Sequence, residues 1–209
     1  MPKAASNREV FINCPFDDQY KPLFYAAIFA ILRSGFVPRS ALEEDNAGQN
    51  RFDKICKIIG ECRLGVHDIS RVELSGNPRL PRFNMPLELG LFLGACKFGG
   101  KKQKTKSCIV FERKEHLFRQ YISDISGQDV KAHRGRHSEL IKKLATWLRT
   151  QGRAPDVPGG AAIANEYSRF TDALPEICQE SRLRPDELTF GDLVEIISNY
   201  IRARLIPLP

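Results

Sequence analysis

The sequence predicts a doubly wound, mostly parallel α/β sheet of the flavodoxin or Rossmann kind, followed by a helical C-terminal region. Two observations carry this. As far as Phe111, short β-branched runs alternate with segments of helical length and spacing, the pattern of a parallel sheet with crossover helices. Beyond Glu112 the remaining apolar periodicities are all helical.

Taken in order, Glu9-Val-Phe-Ile-Asn13 is a β-rich run stopped by Cys14-Pro15-Phe16-Asp17-Asp18, where Pro and Asp break a strand and can start a helix. Tyr20 to Arg33 is rich in Ala, Leu and Ile and is closed by Ser34-Gly35. Its apolar residues nearly encircle it, as expected of a helix laid over a parallel sheet. A second strand is expected over Phe36 to Arg39. The helical segment Asn50 to Cys62 follows, with Phe52, Ile55, Ile58 and Ile59 in register. Leu64-Gly65-Val66-His67-Asp68 reads as the third strand, Leu87 to Phe98 as a strongly apolar helix, and Ser107 to Phe111 as the last strand.

In the second half, Leu140, Leu144 and Leu148 with Trp147, then Phe170, Leu174 and Ile177, then Leu193, Ile196, Ile197 and Ile201 mark helices. Gly152 to Ala162 reads as a linker. The expected division is an α/β domain over 1–127 and a helical region over 128–209.

The 32 Lys and Arg against 25 Asp and Glu give a formal charge of +7, which favours anionic partners without naming one. The run Lys101, Lys102, Lys104, Lys106 reads as a solvated loop, with a phosphate patch as the alternative. The N-terminus lacks the apolar core of a secretory signal, and the longest apolar run, Leu23 to Leu32, is half a membrane span. A cytoplasmic protein with no membrane contact is therefore expected. Cysteines 14, 56, 62, 96, 108 and 178 are scattered and contain no CxxC pair, so they read as buried thiols in a reducing compartment. No metal site is indicated. His133 and His137 have i, i+4 spacing, yet Gly135 lies between them and no HExxH glutamate accompanies them, so they read as a surface pair. A phosphate loop of the Walker or dinucleotide type is excluded, because Asn13-Cys14-Pro15-Phe16 contains no glycine.

The ligand crevice of such a sheet belongs at the strands' carboxyl ends. Pro86 suits the first position of its helix, which would put Glu88 in the first turn near the positive end of the macrodipole. There it could serve as a nucleophile or stabilise an oxocarbenium-like sugar, or it could simply complement the dipole. Asp68, ending the third strand, could hold a ribose hydroxyl or orient a proton acceptor, or could cap a turn through Ser70. His67, pointing to the opposite face, reads as a core residue. Arg71, Arg79, Arg82 and Asn84 could clamp a pyrophosphate or be solvated. Asn13, Phe16 and Asp17 stand at the first strand's exit as candidate nucleotide contacts, although Asp17 and Asp18 could cap the next helix. Glu43 and Glu44 could bind ribose hydroxyls or belong to a polar loop.

The runs Val10 to Asp17, Cys62 to Ser70 and Phe83-Asn84-Met85-Pro86-Leu87-Glu88-Leu89-Gly90 resemble bacterial Toll/interleukin-1 receptor (TIR)-like proteins related to nucleoside 2-deoxyribosyltransferases, over about the first half of the chain. In the transferases a Glu-Leu-Gly element opens a helix and supplies the catalytic carboxylate, which the resemblance places at Glu88; Asp68 is similar to their sugar-contacting acid. TIR enzymes use a helix-borne Glu to cleave the glycosidic bond of NAD. The chain differs in having Cys14 where the transferases carry a small residue before Pro, and Asn-Met-Pro-Leu where they carry a Gly-rich turn. The resemblance implies a TIR-like fold and an N-glycosidase acting on NAD or another nucleotide as substrate rather than cofactor. It also implies homo-oligomers and a setting in anti-phage defence with a partner protein. A non-catalytic nucleotide-sensing or interaction module is the alternative; nucleic acid is not an expected partner, since no recognisable motif carries the basic residues.

Overall fold

The computed structural model describes residues 8–43, 48–70 and 83–205. Five strands form one sheet: β1 (Glu9–Asn13), β2 (Val37–Ser40), β3 (Leu64–Asp68), β4 (Ser107–Glu112) and β5 (Lys131–Ala132). Their order is β2-β1-β3-β4-β5 and every pairing is parallel. This is a doubly wound order in which the chain leaves β1 first to one side and then to the other. Val10 lies opposite both Pro38 and Leu64, and Leu64 opposite Ser107, so the three long central strands end nearly level.

Side chains alternate between two covered faces. Val10, Ile12, Leu64, Val66, Ile109 and Phe111 pack under α1 (Lys21–Arg33) and α4 (His137–Gln151). On the other face, Phe11 packs with Ile55, Ile58 and Ile59 of α2 (Arg51–Glu61) and with Phe92 of α3 (Asn84–Phe98). Gly65 permits the close approach here, because a Cβ at that position would lie 2.8 Å from both the His67 ring and Phe92. The Asn50 side chain caps α2 by accepting from the amides of Phe52 and Asp53.

Helices α5 (Gly160–Glu180) and α6 (Phe190–Leu205) lie outside α1, so α1 is covered by the sheet on one side and by α4, α5 and α6 on the other. That is why Leu23, Phe24 and the run Ala26 to Ile31 are buried around the whole helix. One continuous apolar cluster runs from β1 and α1 through Leu140, Leu144 and Leu148 to Phe170, Leu193 and Ile197. Arg33 of α1 and Glu166 of α5 add a bidentate ion pair.

Several expectations change. β5 was not legible: two residues cannot establish an alternation, and its pairing is supplied by Phe111 and Glu112 of β4. Gly160 to Ala162 belong to α5 rather than to a linker. Lys101, Lys102 and Lys104 are exposed, but Lys106 turns inward, donating to the carbonyls of Ile59 in the last turn of α2 and of Cys62 just after it, with its ammonium 4.7 Å from the Phe92 ring centre. All six cysteines are free thiols; Cys56 alone among them is exposed. No helix among the described residues is long and apolar enough to cross a membrane.

Candidate functional site

Because the strand order reverses at β1, the crevice opens between the carboxyl ends of β1 and β3, where Asn13, Cys14 and Asp68 arrive side by side. Asn13 is buried and its amide nitrogen is committed inward, donating to the Met85 carbonyl at 2.8 Å and lying 3.0 Å from His67 Nδ1. One side chain thus ties β1, β3 and the first turn of α3 together. His67 is a core histidine, as expected from strand alternation: it is fully buried, edge-on to Phe92, and pushed down to about 3 by desolvation and then by the Lys106 charge.

Asp68 points the opposite way and is 1% exposed. Its Oδ2 accepts from the Tyr20 hydroxyl at 2.7 Å and faces His133 Nε2 at 3.1 Å. Its Oδ1 accepts from the Ser70 amide at 2.8 Å and from the Ser70 hydroxyl. The turn through Ser70 therefore forms. Ser70 Oγ also lies 2.8 Å from His133 Nε2, which gathers Ser, His and Asp as in a nucleophilic triad. The hydrogen bonds argue against that chemistry. The Gly135 amide donates to His133 Nδ1 at 2.9 Å, which leaves the proton of neutral His133 on Nε2, where a triad base would need a lone pair. The cluster is a buried scaffold in which every polar group has a partner.

His133 was expected on the surface with His137 and is instead 1% exposed; it follows β5 directly, and its backbone amide donates to the Glu112 carbonyl at 2.9 Å. His137, the first residue of α4, is exposed, so the two do not share a face.

Glu88 behaves differently. It is 8% exposed and, among the described residues, its carboxylate makes no hydrogen bond or ion pair. Desolvation pushes it up from 4.5 to about 7, and the nearby charge of Arg51 opposes the shift without cancelling it. The expected first-turn position is not observed: α3 begins at Asn84, with Phe83 preceding it, so Pro86 is the third helical residue and Glu88 lies in the second turn. Dipole support decays within the first turn, so burial dominates its titration. Asp68, Glu88 and Asp17 all act electrostatically on Cys14, whose thiol burial raises well above its ordinary value. All three carboxylates are therefore near enough to Cys14, just past the end of β1, to act on its thiol.

Phe16 is partly exposed and meets Phe24 edge-on, with ring centres 5.4 Å apart. Asp17 Oδ1 accepts from the Tyr20 amide, which makes it part of the turn into α1. Asn84 is exposed at the start of α3. Glu43 is not a free ribose ligand: it pairs bidentately with Arg39, which also reaches Glu9 and Glu61. Arg71, Arg79, Arg82 and Glu44 lie outside the described residues. A cavity of about 150 Å³ adjoins the site on the α1 and α6 side, lined by Phe16, Asp17, Phe24, Leu42 and Phe190. Neither Glu88 nor Asp68 lines it. Phe16, Leu42, Phe52, Phe83 and Leu87 expose apolar surface around the carboxyl end of the sheet.

Tyr20, Ser70 and His133 complete the Asp68 cluster, and of these only Ser70 was signalled, by its spacing of two from Asp68. Compared with known families, curated proteins and solved structures, the chain finds no match. The fold alone defines the class, a doubly wound parallel α/β sheet carrying a helical C-terminal region.

Proposed function

We propose that this protein is a nucleotide N-glycosidase, with NAD the leading substrate and Glu88 the catalytic carboxylate. The observation that carries the reading is a buried glutamate with a raised pKa at the switch point of the sheet, its carboxylate without a partner among the described residues. In the reaction the bond from the anomeric carbon to the nicotinamide nitrogen breaks and its electron pair leaves with the nitrogen, neutralising the pyridinium charge. The ionised Glu88 faces the oxocarbenium-like sugar. Water then adds to the anomeric carbon and its proton passes to Glu88 or to solvent. No metal takes part. Asn84 meets the phosphates, together with Arg82. Asp68, with both oxygens engaged, is a positioning residue that fixes Tyr20 and the β3 exit. The active form is a homo-oligomer that works with a partner protein in defence.

The test is chromatography of NAD and a panel of deoxynucleosides and nucleotides after incubation with wild type and Glu88→Gln, at several protein concentrations. Release of free base by the wild type alone supports the reading. Equal release by the variant overturns it. The second reading, a nucleotide-sensing or interaction module, is favoured by how fully Asn13 and Asp68 are satisfied within the protein. It predicts saturable nucleotide binding with the ligand recovered intact.

A further inference from the structure

Independently of the crevice, the far edge of the sheet carries an unfinished strand pairing. In a parallel ladder alternate residues address opposite neighbours. The amide of Ser107 donates to Arg63 and the carbonyl of Phe111 accepts from Ile69, so Ser107, Ile109 and Phe111 face β3. Cys108, Val110 and Glu112 therefore face outward. The two-residue β5 covers only the end of this edge, its register lying at Phe111 and Glu112. Among the described residues, the amide and carbonyl of Cys108 and the amide of Val110 have no backbone partner.

Beside them lies a groove of about 610 Å³, walled by Ser107 to Val110 on one side and by Lys142, Lys143, Thr146, Trp147 and Gln151 of α4 on the other. Lys131 and Asp129 close one end. Three lysines line the groove against one aspartate, and Asp129 is already paired with Lys131 at 2.6 Å. The Lys143 ammonium donates to the Ala132 carbonyl, whereas Lys142 is exposed and has no ion-pair partner among the described residues.

We infer that this groove binds an extended acidic segment of a partner protein, which pairs with β4 and continues the sheet. Strand addition to an exposed edge supplies main-chain hydrogen bonds, and the alternating side chains supply specificity. Lysine on an edge opposes pairing between identical edges, because two copies would bring like charges together. The same charge admits an acidic strand. Ser107 to Val110 accommodates about four residues, or roughly 13 Å of extended chain. Every second side chain of the incoming strand then faces Lys142 and Lys143 on α4.

The test uses an array of synthetic eight-residue peptides in which Asp or Glu alternates with Val, Ile or Thr, against the full-length chain. Trp147 is the only tryptophan, so its emission reports occupancy of the groove. Hydrogen exchange at the Cys108 and Val110 amides reports the pairing. The best peptides are expected to shift Trp147 emission saturably and to slow exchange at those two amides, with Ile109 unchanged. Lys142→Glu, at an exposed position, is expected to weaken them about tenfold. The inference is overturned if no peptide protects these amides, if the Lys-for-Glu array binds equally well, or if protection appears without peptide as protein concentration rises. The last outcome would assign the edge to a second copy of this chain.

Discussion

The behaviour of Glu88 follows from where its carboxylate is buried. Folding raises its pKa from 4.5 to about 7, so the folded state holds a proton that the unfolded chain releases. Its contribution to stability is fully present below pH 4.5 and is lost as pH rises through about 7. Glu88→Gln is therefore expected to melt like wild type near pH 4.5 and to be more stable by about 1–3 kcal/mol above pH 7, measured by thermal unfolding across pH. If the ionised form stabilises the sugar cation, kcat/KM of the wild type should rise with pH and level off above about 7. A profile falling over that range would instead make Glu88 a proton donor. His133→Ala tests the neighbouring cluster. It removes a donor beside the buried Asp68 and is expected to cost about 2–4 kcal/mol by chemical denaturation. Glu88 was legible as a candidate from its place two residues after Pro86; its titration was not, because desolvation depends on packing rather than on sequence neighbours.

At the scale of elements, the start of α3 is held by Asn13. Its amide bridges the Met85 carbonyl and His67, and Glu88 follows within one turn. Asn13→Ala is expected to destabilise the chain by about 1–3 kcal/mol and to speed hydrogen exchange in the first turns of α3 while leaving β4 protected. Uniform loss of protection across the sheet would show that Asn13 supports the whole fold instead. Strands β1 and β3 were readable to the residue because each is a short run with a β-rich apolar centre bounded by polar or turn residues, as burial on both faces requires. The start of α3 was misplaced by two residues: Pro is favoured at the first helical position, yet Asn84 and Met85 join the helix once Met85 is clamped by Asn13. β5 and the His133 that follows it carry no local pattern. They depend on β4 already being in place.

For the whole molecule, the decisive feature is the double coverage of α1. A fragment ending at residue 127 would lack α4, α5 and α6 and would expose the outer face of a helix whose buried residues include Phe24, Ile28, Phe29 and Ile31. Uncovering several large side chains, at about 1.5–3 kcal/mol each, exceeds the margin of an ordinary domain. The fragment is expected to aggregate or to remain partly unfolded in gel filtration and circular dichroism, whereas the full chain should melt in one transition. A monomeric, cooperatively folded fragment would show that the α/β part stands alone. By itself the sequence determined the alternation of strands and helices, both faces of the sheet, the helical second half and that Glu88 belongs to a helix, because these are encoded in local periodicity and turn chemistry. Only the tertiary structure decided which distant polar groups meet. The Asp68–Ser70 turn is local, but Tyr20 and His133 come from far along the chain and reach Asp68 only once the sheet order brings the end of β3, the exit of β5 and the turn into α1 together.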